Sequence, residues 1–427
     1  MFLRGLGRLH FVKADHYLII RKKWDCGDLY GLLFFAYYIV VGLHQATHAQ
    51  MKLLFVVADD WYFLSHRLPL ALAALREGFE VAVATRVGTQ GQQIMDAGFR
   101  LIPLEHMKRE KRSPLNEIRA ISELRRIYRR EQPTIVHHVA LKPVLYGSIA
   151  ALGLAIKTVN AFAGLGYLAS SKSPKAMVLR TAIWNTMRFL LNRPKAFTIL
   201  QNFEDRDFAV NTLGMSQENT EVIMGSGVDL ELFTPSPQPS GVPIVMLPSR
   251  LLWNKGVAEF VAAADLLTST GVKARFVLVG DTDEGSPSAI PRSRIAEWND
   301  SGSIEWWGKM RDMQNVLRQA SIVCLPSYRE GIPKVLIEAA ACGRPIVTTD
   351  VPGCRDVVQH YVNGMLVPPK NIDVLALTIR VLLGNSDLRK RMGEAGRKIA
   401  AHFSQDVVTE KTLVRYGLLT SSRDTHQ

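Results

Sequence analysis

Short strand-like segments, most of them separated by amphipathic helical ones, recur in two series along this sequence, and that double alternation restricts the possible fold more than any other feature. The first series occupies residues 52–57, 81–84, 101–103, 134–138, 158–163, 196–200 and 221–224. The second occupies 244–248, 274–279, 303–307, 322–325, 345–348 and 364–367. Short runs that are apolar throughout read as strands covered on both faces, and the helical patterns between them provide the cover. The pattern predicts an α/β chain with two doubly wound parallel sheets. A stretch with prolines at 235, 237, 239 and 243 separates the series and reads as a linker. With 427 residues and 47% hydrophobic content, each half can build a core of ordinary size. The expected organisation is an extension at 1–50, a first domain at 51–234, a second at 241–403 and a closing helix within 404–427. Ligands of such sheets bind beyond the carboxyl ends of the strands, so the expected site is a cleft between the domains.

The most informative stretch is 321–349, SIVCLPSYREGIPKVLIEAAACGRPIVTT. It reads as strand, loop and helix, with Pro333 at the first helical position, where its missing N–H costs nothing. Gly331 permits a tight turn, so the amides around Gly331, Ile332, Lys334 and Val335 can face an anion, helped by the helix dipole. Glu330 lies in the loop, and Glu338 lies five residues past Pro333, about 7.5 Å along the axis. A diphosphate at the helix mouth would have Glu330 on its far side and Glu338 placed to accept ribose hydroxyls. Acids near a helix start also stabilise the dipole without any ligand. Upstream, Arg250 and Lys255 flank the turn between an apolar run and the helical stretch 257–267. Two fixed cations beside a helix N-terminus suit a departing nucleoside diphosphate.

Arg250 and Lys255, with four residues between them, and Glu330 and Glu338, with seven, together resemble the R-x4-K and E-x7-E motifs of the retaining family 4 glycosyltransferases (glycosyl transferases group 1). The resemblance implies the GT-B fold, two Rossmann-like domains facing a central cleft. It implies Glu330, Arg250 and Lys255 as catalytic residues, with Glu338, Gly331, Ile332, Lys334 and Val335 on the donor. Segments 136–147 and 163–167 look like a bacterial subset that extends lipid-linked O-antigen, capsule or glycan precursors. That subset implies transfer of a hexose or N-acetylhexosamine from a nucleotide sugar, UDP-linked by expectation, to an undecaprenyl-diphosphate-linked saccharide, with no metal or other cofactor. Many relatives carry a histidine at the end of the fifth strand. Here that place aligns with Ala163, beside Gly164, which shifts the catalytic load to the second domain. Residues 303–310 fall where relatives cradle the base, and 404–419 correspond to a helix that crosses back to the first domain. Two alternatives share the architecture: a GT-B UDP-sugar epimerase and a noncatalytic membrane-bound assembly subunit.

The first domain has no G-x-G-x-x-G. Its opening strand leads into 59–69, where His66 and Arg67 are candidates for the acceptor or its phosphates, His66 alternatively packing on the next helix. His137 and His138 end the fourth strand, and Lys142 follows within reach of a diphosphate. Asp281 and Asp283 mimic a metal-binding D-x-D but fall in an ordinary loop after a strand.

The net charge of +13 is unevenly spread, with 22 Lys and Arg against 10 Asp and Glu in residues 51–200. The densest parts are 108–112 and the segment carrying Arg125, Arg126, Arg129 and Arg130, whose other face is Leu115, Ile118, Ile121, Leu124 and Ile127. A second basic segment, 174–191, carries Lys175, Arg180 and Arg188 with Trp184 and Phe189. Such surfaces suit an anionic membrane leaflet at about 1 kcal/mol per cation. Nucleic acid is a poorer partner, since aromatics do not interleave with the basics. Residues 29–43 are apolar but fall short of the ~20 needed to span a bilayer. They read as an over-extended start or a helix on the cytoplasmic face, ahead of a cleaved signal peptide. The four cysteines lack zinc spacing and fit a reducing compartment. Taken with the resemblance, these features imply a chain at the cytoplasmic face of the bacterial inner membrane, peripheral or weakly anchored.

Overall fold

A computed structural model describes residues 11–14, 17–20, 51–107, 113–164 and 174–421. Strands β1 (Phe11–Ala14) and β2 (Tyr17–Ile20) pair antiparallel within one compact unit, Met1–Gln50; the rest of the fold belongs to the other, Met51–Gln427. The apolar segment 29–43, the basic run 108–112 and Tyr167 lie outside the described residues.

The first sheet contains β3 (Lys52–Asp59), β4 (Glu80–Arg86), β5 (Arg100–Pro103), β6 (Ile135–Val139), β7 (Lys157–Ala161), β8 (Ala196–Leu200) and β9 (Thr220–Val222). All are parallel, in the order β5-β4-β3-β6-β7-β8-β9. The second sheet contains β10 (Ile244–Pro248), β11 (Arg275–Val279), β12 (Glu305–Trp306), β13 (Ile322–Leu325), β14 (Ile346–Thr349) and β15 (Gly364–Val367). These too are parallel, in the order β12-β11-β10-β13-β14-β15. In each sheet the chain builds outward from its first strand and then returns to that strand's other side. The order therefore reverses between β3 and β6, and again between β10 and β13. A crevice opens at such a reversal, because the loops on its two sides leave in opposite directions.

Burial explains why these runs form strands. Every residue of β6, β8, β10, β13 and β14 is buried, as a parallel sheet covered on both faces requires. Successive residues of β10 point to opposite faces: Ile244 and Met246 join one core, Val245 and Leu247 the other. Helix Val257–Ser269 covers the second of these with Val257, Phe260, Val261, Ala264 and Leu267, a spacing that places all five on one helical face. Helix Lys334–Ala341 covers the first with Leu336, Ile337, Ala339 and Ala340.

The passage between domains differs from the expected linker. Ile223 packs in the first domain's core, whereas Val228 and Phe233 already pack in the second's. The chain therefore crosses upstream of the proline-rich stretch. That stretch is fastened to the second domain: buried Arg344 donates from Nη2 to the carbonyls of Ser236 at 2.9 Å and Pro237 at 3.0 Å. The return crossing brings Phe403 from the second core to Val408 and Tyr416 in the first. The two crossings touch. The Val228 N–H donates to Phe403 O, and the Gln405 N–H donates to Val228 O, each at 2.9 Å. Gly227, at φ +77°, allows this approach, since a Cβ there would lie 2.6 Å from Gln405 Cα. Helix Gln405–Ser421 then lies against the first sheet, where Tyr416 OH meets His137 Nδ1 at 2.5 Å.

Candidate active site

The loops leaving β10 and β13, on the two sides of the second sheet's reversal, pack directly on each other. Gly256, at φ +73°, makes this possible, since a Cβ there would run into the carbonyl of Pro326. Tyr328 N–H donates to Asn254 O at 3.0 Å, and Ser327 Oγ lies 3.1 Å from the same oxygen. The register delivers Lys255 to Glu330, with Nζ 2.5 Å from Oε1. Ser327 Oγ donates to the same oxygen at 2.6 Å. Glu330 is thus pinned by one ammonium and one hydroxyl, and the pair is largely shielded from water. Arg250 lies at the same rim but is half exposed, its Nη1 2.7 Å from Asp283 Oδ2. Asp281 is likewise engaged, by Arg292 at 2.6 Å.

The helix after this loop begins one residue later than expected. Pro333 is its N-cap, with φ −75° and ψ 105°, and its carbonyl accepts the Leu336 N–H at 3.0 Å. An extended ψ at Pro333 gives it the half-in geometry of a cap, so Lys334 and Val335 supply the first two helical amides, which have no acceptor within the helix. The amide of Ile332, expected to face an anion, is instead taken by Gln201 Oε1 of the first domain at 3.1 Å. Glu338 is buried one turn into the helix, 3.5 Å from Lys334 Nζ. Burial pushes its carboxyl above the usual range, and Lys334 opposes the shift.

From the first domain, helix Asp60–His66 follows β3 and carries Ser65 and His66 towards the second domain. Lys334 Nζ donates to Ser65 O at 2.8 Å. The His66 ring stacks on Tyr62 with centroids 4.1 Å apart, and its Nδ1 lies 2.5 Å from Ser65 Oγ. Burial, followed by the charges of Lys334, Arg67 and Arg250, pushes its pKa down to about 3. Two of those cations belong to the second domain, so His66 stands at the cleft as a neutral imidazole.

Two first-domain candidates are directed elsewhere. Arg67 falls at the break between helix Asp60–His66 and helix Leu68–Arg76, and the break turns its guanidinium inward. It is buried, donates from Nη1 to His66 O at 3.1 Å, and its charge acts on the buried His137 and Tyr416. Lys142 lies 3.0 Å from Glu117 Oε2, which also accepts the Tyr146 hydroxyl at 2.6 Å. A carboxylate of its own domain thus neutralises the charge expected to reach a diphosphate. His138 is a core residue. Its Nδ1–H donates to Asn160 Oδ1 and its Nε2 accepts from Tyr128 OH, both at 2.8 Å.

Gly164 does reach the site. Its φ is +107°, and a Cβ there would lie 3.2 Å from both Cα and N of Gly331. A Cβ on Gly331 would lie 2.8 Å from Ala163 O, and one on Gly353 would run into Gly331 O. The loops leaving β7, β13 and β14 therefore meet backbone to backbone, with the Ala163 carbonyl against Gly331. Within 303–310, Gly308 O accepts the Gly280 N–H at 2.8 Å, placing that segment beside the exit of β11.

Sequence reasoning passed over Gln201, Asn202 and Asp205. Asn202 Nδ2 donates to Gly331 O at 3.0 Å, and Asp205 Oδ1 lies 2.8 Å from Arg329 Nη2. The available signal was position: a polar pair directly after β8, at the carboxyl edge of a parallel sheet.

Residues 229–399 match the family described as Glycosyl transferases group 1, and residues 52–202 match the one described as Glycosyl transferase 4-like. The chain is 28% identical, over 83% of its length and 97% of the relative's, to the N,N'-diacetylbacillosaminyl-diphospho-undecaprenol alpha-1,3-N-acetylgalactosaminyltransferase of Campylobacter jejuni. Among solved structures, a sucrose-phosphate synthase from Thermosynechococcus elongatus superposes with a TM-score of 0.74 at 20% identity, covering 88% of this chain and all of that one. HepE of Anabaena in complex with UDP-glucose superposes with a TM-score of 0.69 at 18% identity, covering 86% and 100%. The two parallel sheets and their arrangement are those of the GT-B fold.

Proposed function

This chain belongs to the glycosyltransferases, with a group 1 domain behind a 4-like domain, and we propose that it moves a hexose or N-acetylhexosamine from a UDP-sugar to a lipid-linked saccharide, with retention, in bacterial surface polysaccharide synthesis. The observation that carries this reading is the Lys255–Glu330 pair at the second sheet's reversal, beside the open amides of Lys334 and Val335. The Campylobacter relative acts on an undecaprenol-diphosphate-linked sugar, which supports the acceptor class. The Anabaena protein was solved with UDP-glucose, which supports the donor class.

In this mechanism the pyrophosphate rests on the amides of Lys334 and Val335. Lys255 and Arg250 provide fixed positive charge where the leaving group gains negative charge, and no metal is called for. Glu330, held by Lys255 and Ser327, orients the transferred sugar, while Glu338 accepts the ribose hydroxyls. The glycosidic bond breaks toward an oxocarbenium ion, and the departing phosphate oxygen takes the acceptor's proton on the same face. The new bond then forms with the configuration kept. His66, uncharged, lines the acceptor side.

A peripheral membrane contact, at the cytoplasmic face of the inner membrane, is part of the proposal. On helix Pro114–Glu131 only Leu124 and Ile127 of the expected apolar face are fully buried, whereas Leu115 and Ile118 are 67% and 62% exposed. Arg119, Arg126 and Arg129 continue that exposed face. Apolar tips followed by cations suit an anionic headgroup layer. Replacing Leu115 and Ile118 by Ser should reduce co-flotation with phosphatidylglycerol vesicles.

The direct test is incubation with a panel of labelled nucleotide sugars and a membrane lipid extract. One donor should label the lipid fraction, and Glu330→Gln should abolish the labelling while UDP still binds. Consumption of a donor with no acceptor would instead indicate an isomerase, and no consumption of any donor a noncatalytic subunit.

A further inference from the structure

Two consecutive first-domain side chains grip one peptide group of the second domain from both ends. Gln201 Oε1 accepts the Ile332 N–H at 3.1 Å, and Asn202 Nδ2 donates to Gly331 O at 3.0 Å. These N–H and C=O groups belong to the same peptide bond, Gly331–Ile332. Fixing both ends of a planar amide fixes the orientation of its plane. Gly331 has no Cβ, and one there would run into Gln201 Oε1, so the approach depends on that glycine. Asn202 is itself held, its Oδ1 accepting the Asp205 N–H at 2.7 Å. Asp205 in turn binds Arg329, so residues 329, 331 and 332 are all tied to the first domain, with Glu330 between them. Gln201, Asn202 and Asp205 are buried.

We propose that Gln201 and Asn202 are positioning residues for sugar transfer: by holding the Gly331–Ile332 peptide they set the Glu330 carboxylate, and they do so only while the domains are engaged. The inference rests on the reading of Glu330 as the group that orients the transferred sugar. Because the grip comes from the opposite domain, a nucleotide bound to the second domain alone would meet an unset loop. Affinity for the nucleotide is then separable from the rate of transfer.

Gln201→Met keeps the length of the side chain and removes the acceptor; Gln201→Glu keeps an acceptor oxygen. Asn202→Ser keeps a cap for the Asp205 N–H and removes the donor to Gly331 O. For each variant, the melting temperature, the dissociation constant for UDP and the transfer rate under saturating labelled donor and lipid extract are measured. Gln201→Met and Asn202→Ser should bind UDP within about twofold of the parent and transfer roughly 10- to 100-fold more slowly. Gln201→Glu should recover most of the rate. Parental rates in Gln201→Met and Asn202→Ser, or losses that merely follow UDP affinity, would overturn the proposal. If Gln201→Met does not fold, Asn202→Ser decides alone. Glu330→Gln is measured alongside: if it too transfers normally, the site assignment has failed, whereas an inactive Glu330→Gln beside a fully active Gln201→Met removes the grip alone.

Discussion

Lys255 and Glu330, 75 residues apart in sequence, form a 2.5 Å ion pair where the strand order of the second sheet reverses. In the proposed mechanism the pairing would do two things: fix the carboxylate on the sugar's side, and present an ammonium to the pyrophosphate. Lys255→Ala should therefore lower the transfer rate by about 10²–10³ and weaken UDP binding. Glu330→Gln should lower the rate as far and leave UDP binding intact. Steady-state kinetics with UDP calorimetry on both variants separates the two effects.

Gly353→Ala should destabilise the protein and stop transfer. Gly353 has φ +79°, and a Cβ on it would run into Gly331 O, so strain and a backbone clash combine at about 2–4 kcal/mol. Gly78, at φ +87° with none of the described residues within 4 Å of an added Cβ, is the control. Gly78→Ala should cost only about 1 kcal/mol and leave transfer unchanged, as read by urea unfolding and the transfer assay.

Stability should fall as pH drops below about 6.5. His138 uses both ring nitrogens in its neutral form, and burial pushes its pKa down to about 4. The unfolded chain takes up the proton near 6.5, the folded chain only near 4, so protons favour unfolding between those values. At pH 5 the loss from His138 is about 2 kcal/mol. His137, lowered by burial and then by Arg67 and His138, acts in the same direction. Urea midpoints at pH 7 and pH 5 give the difference, which should shrink in His138→Gln.

Tyr416→Phe should cost about 1–3 kcal/mol, because His137 Nδ1 loses its 2.5 Å partner and Nε2 has none among the described residues. Deleting residues 405–421 would also remove Val408 and Tyr416 from the first domain's core and should yield insoluble protein. Thermal unfolding of the point variant and expression of the deletion check the two outcomes.

Lys142→Ala should leave UDP affinity unchanged, because Glu117 already holds that charge. A tenfold weakening in calorimetry would return Lys142 to the donor site.

The strands were legible because full burial leaves an apolar run that a short window detects, as in β10 and β13. Arg250, Lys255, Glu330 and Glu338 could be singled out because each pair is local in sequence and fixed in spacing; their roles on a donor belong to the proposal. The contacts that tie the pairs into a site join residues far apart. Gln201 reaches Ile332 across 131 positions, and Asn202 reaches Gly331 across 129, distances over which no periodicity carries information. Arg67 and Lys142 are engaged within their own domain, which the sequence did not show, for a related reason. A cation after a strand looks available until the facing helix is known, and here Glu117 and a helix break decide its direction.

The two crossings between the domains, hydrogen-bonded to each other at Val228, Phe403 and Gln405, make a doubled strap in place of a single swivelling cord. Its two rungs oppose twisting of one half against the other, as does the spine of a book. Within that binding Gln201 sits on a peptide of its facing page, so the alignment of the two halves is written into the connection itself.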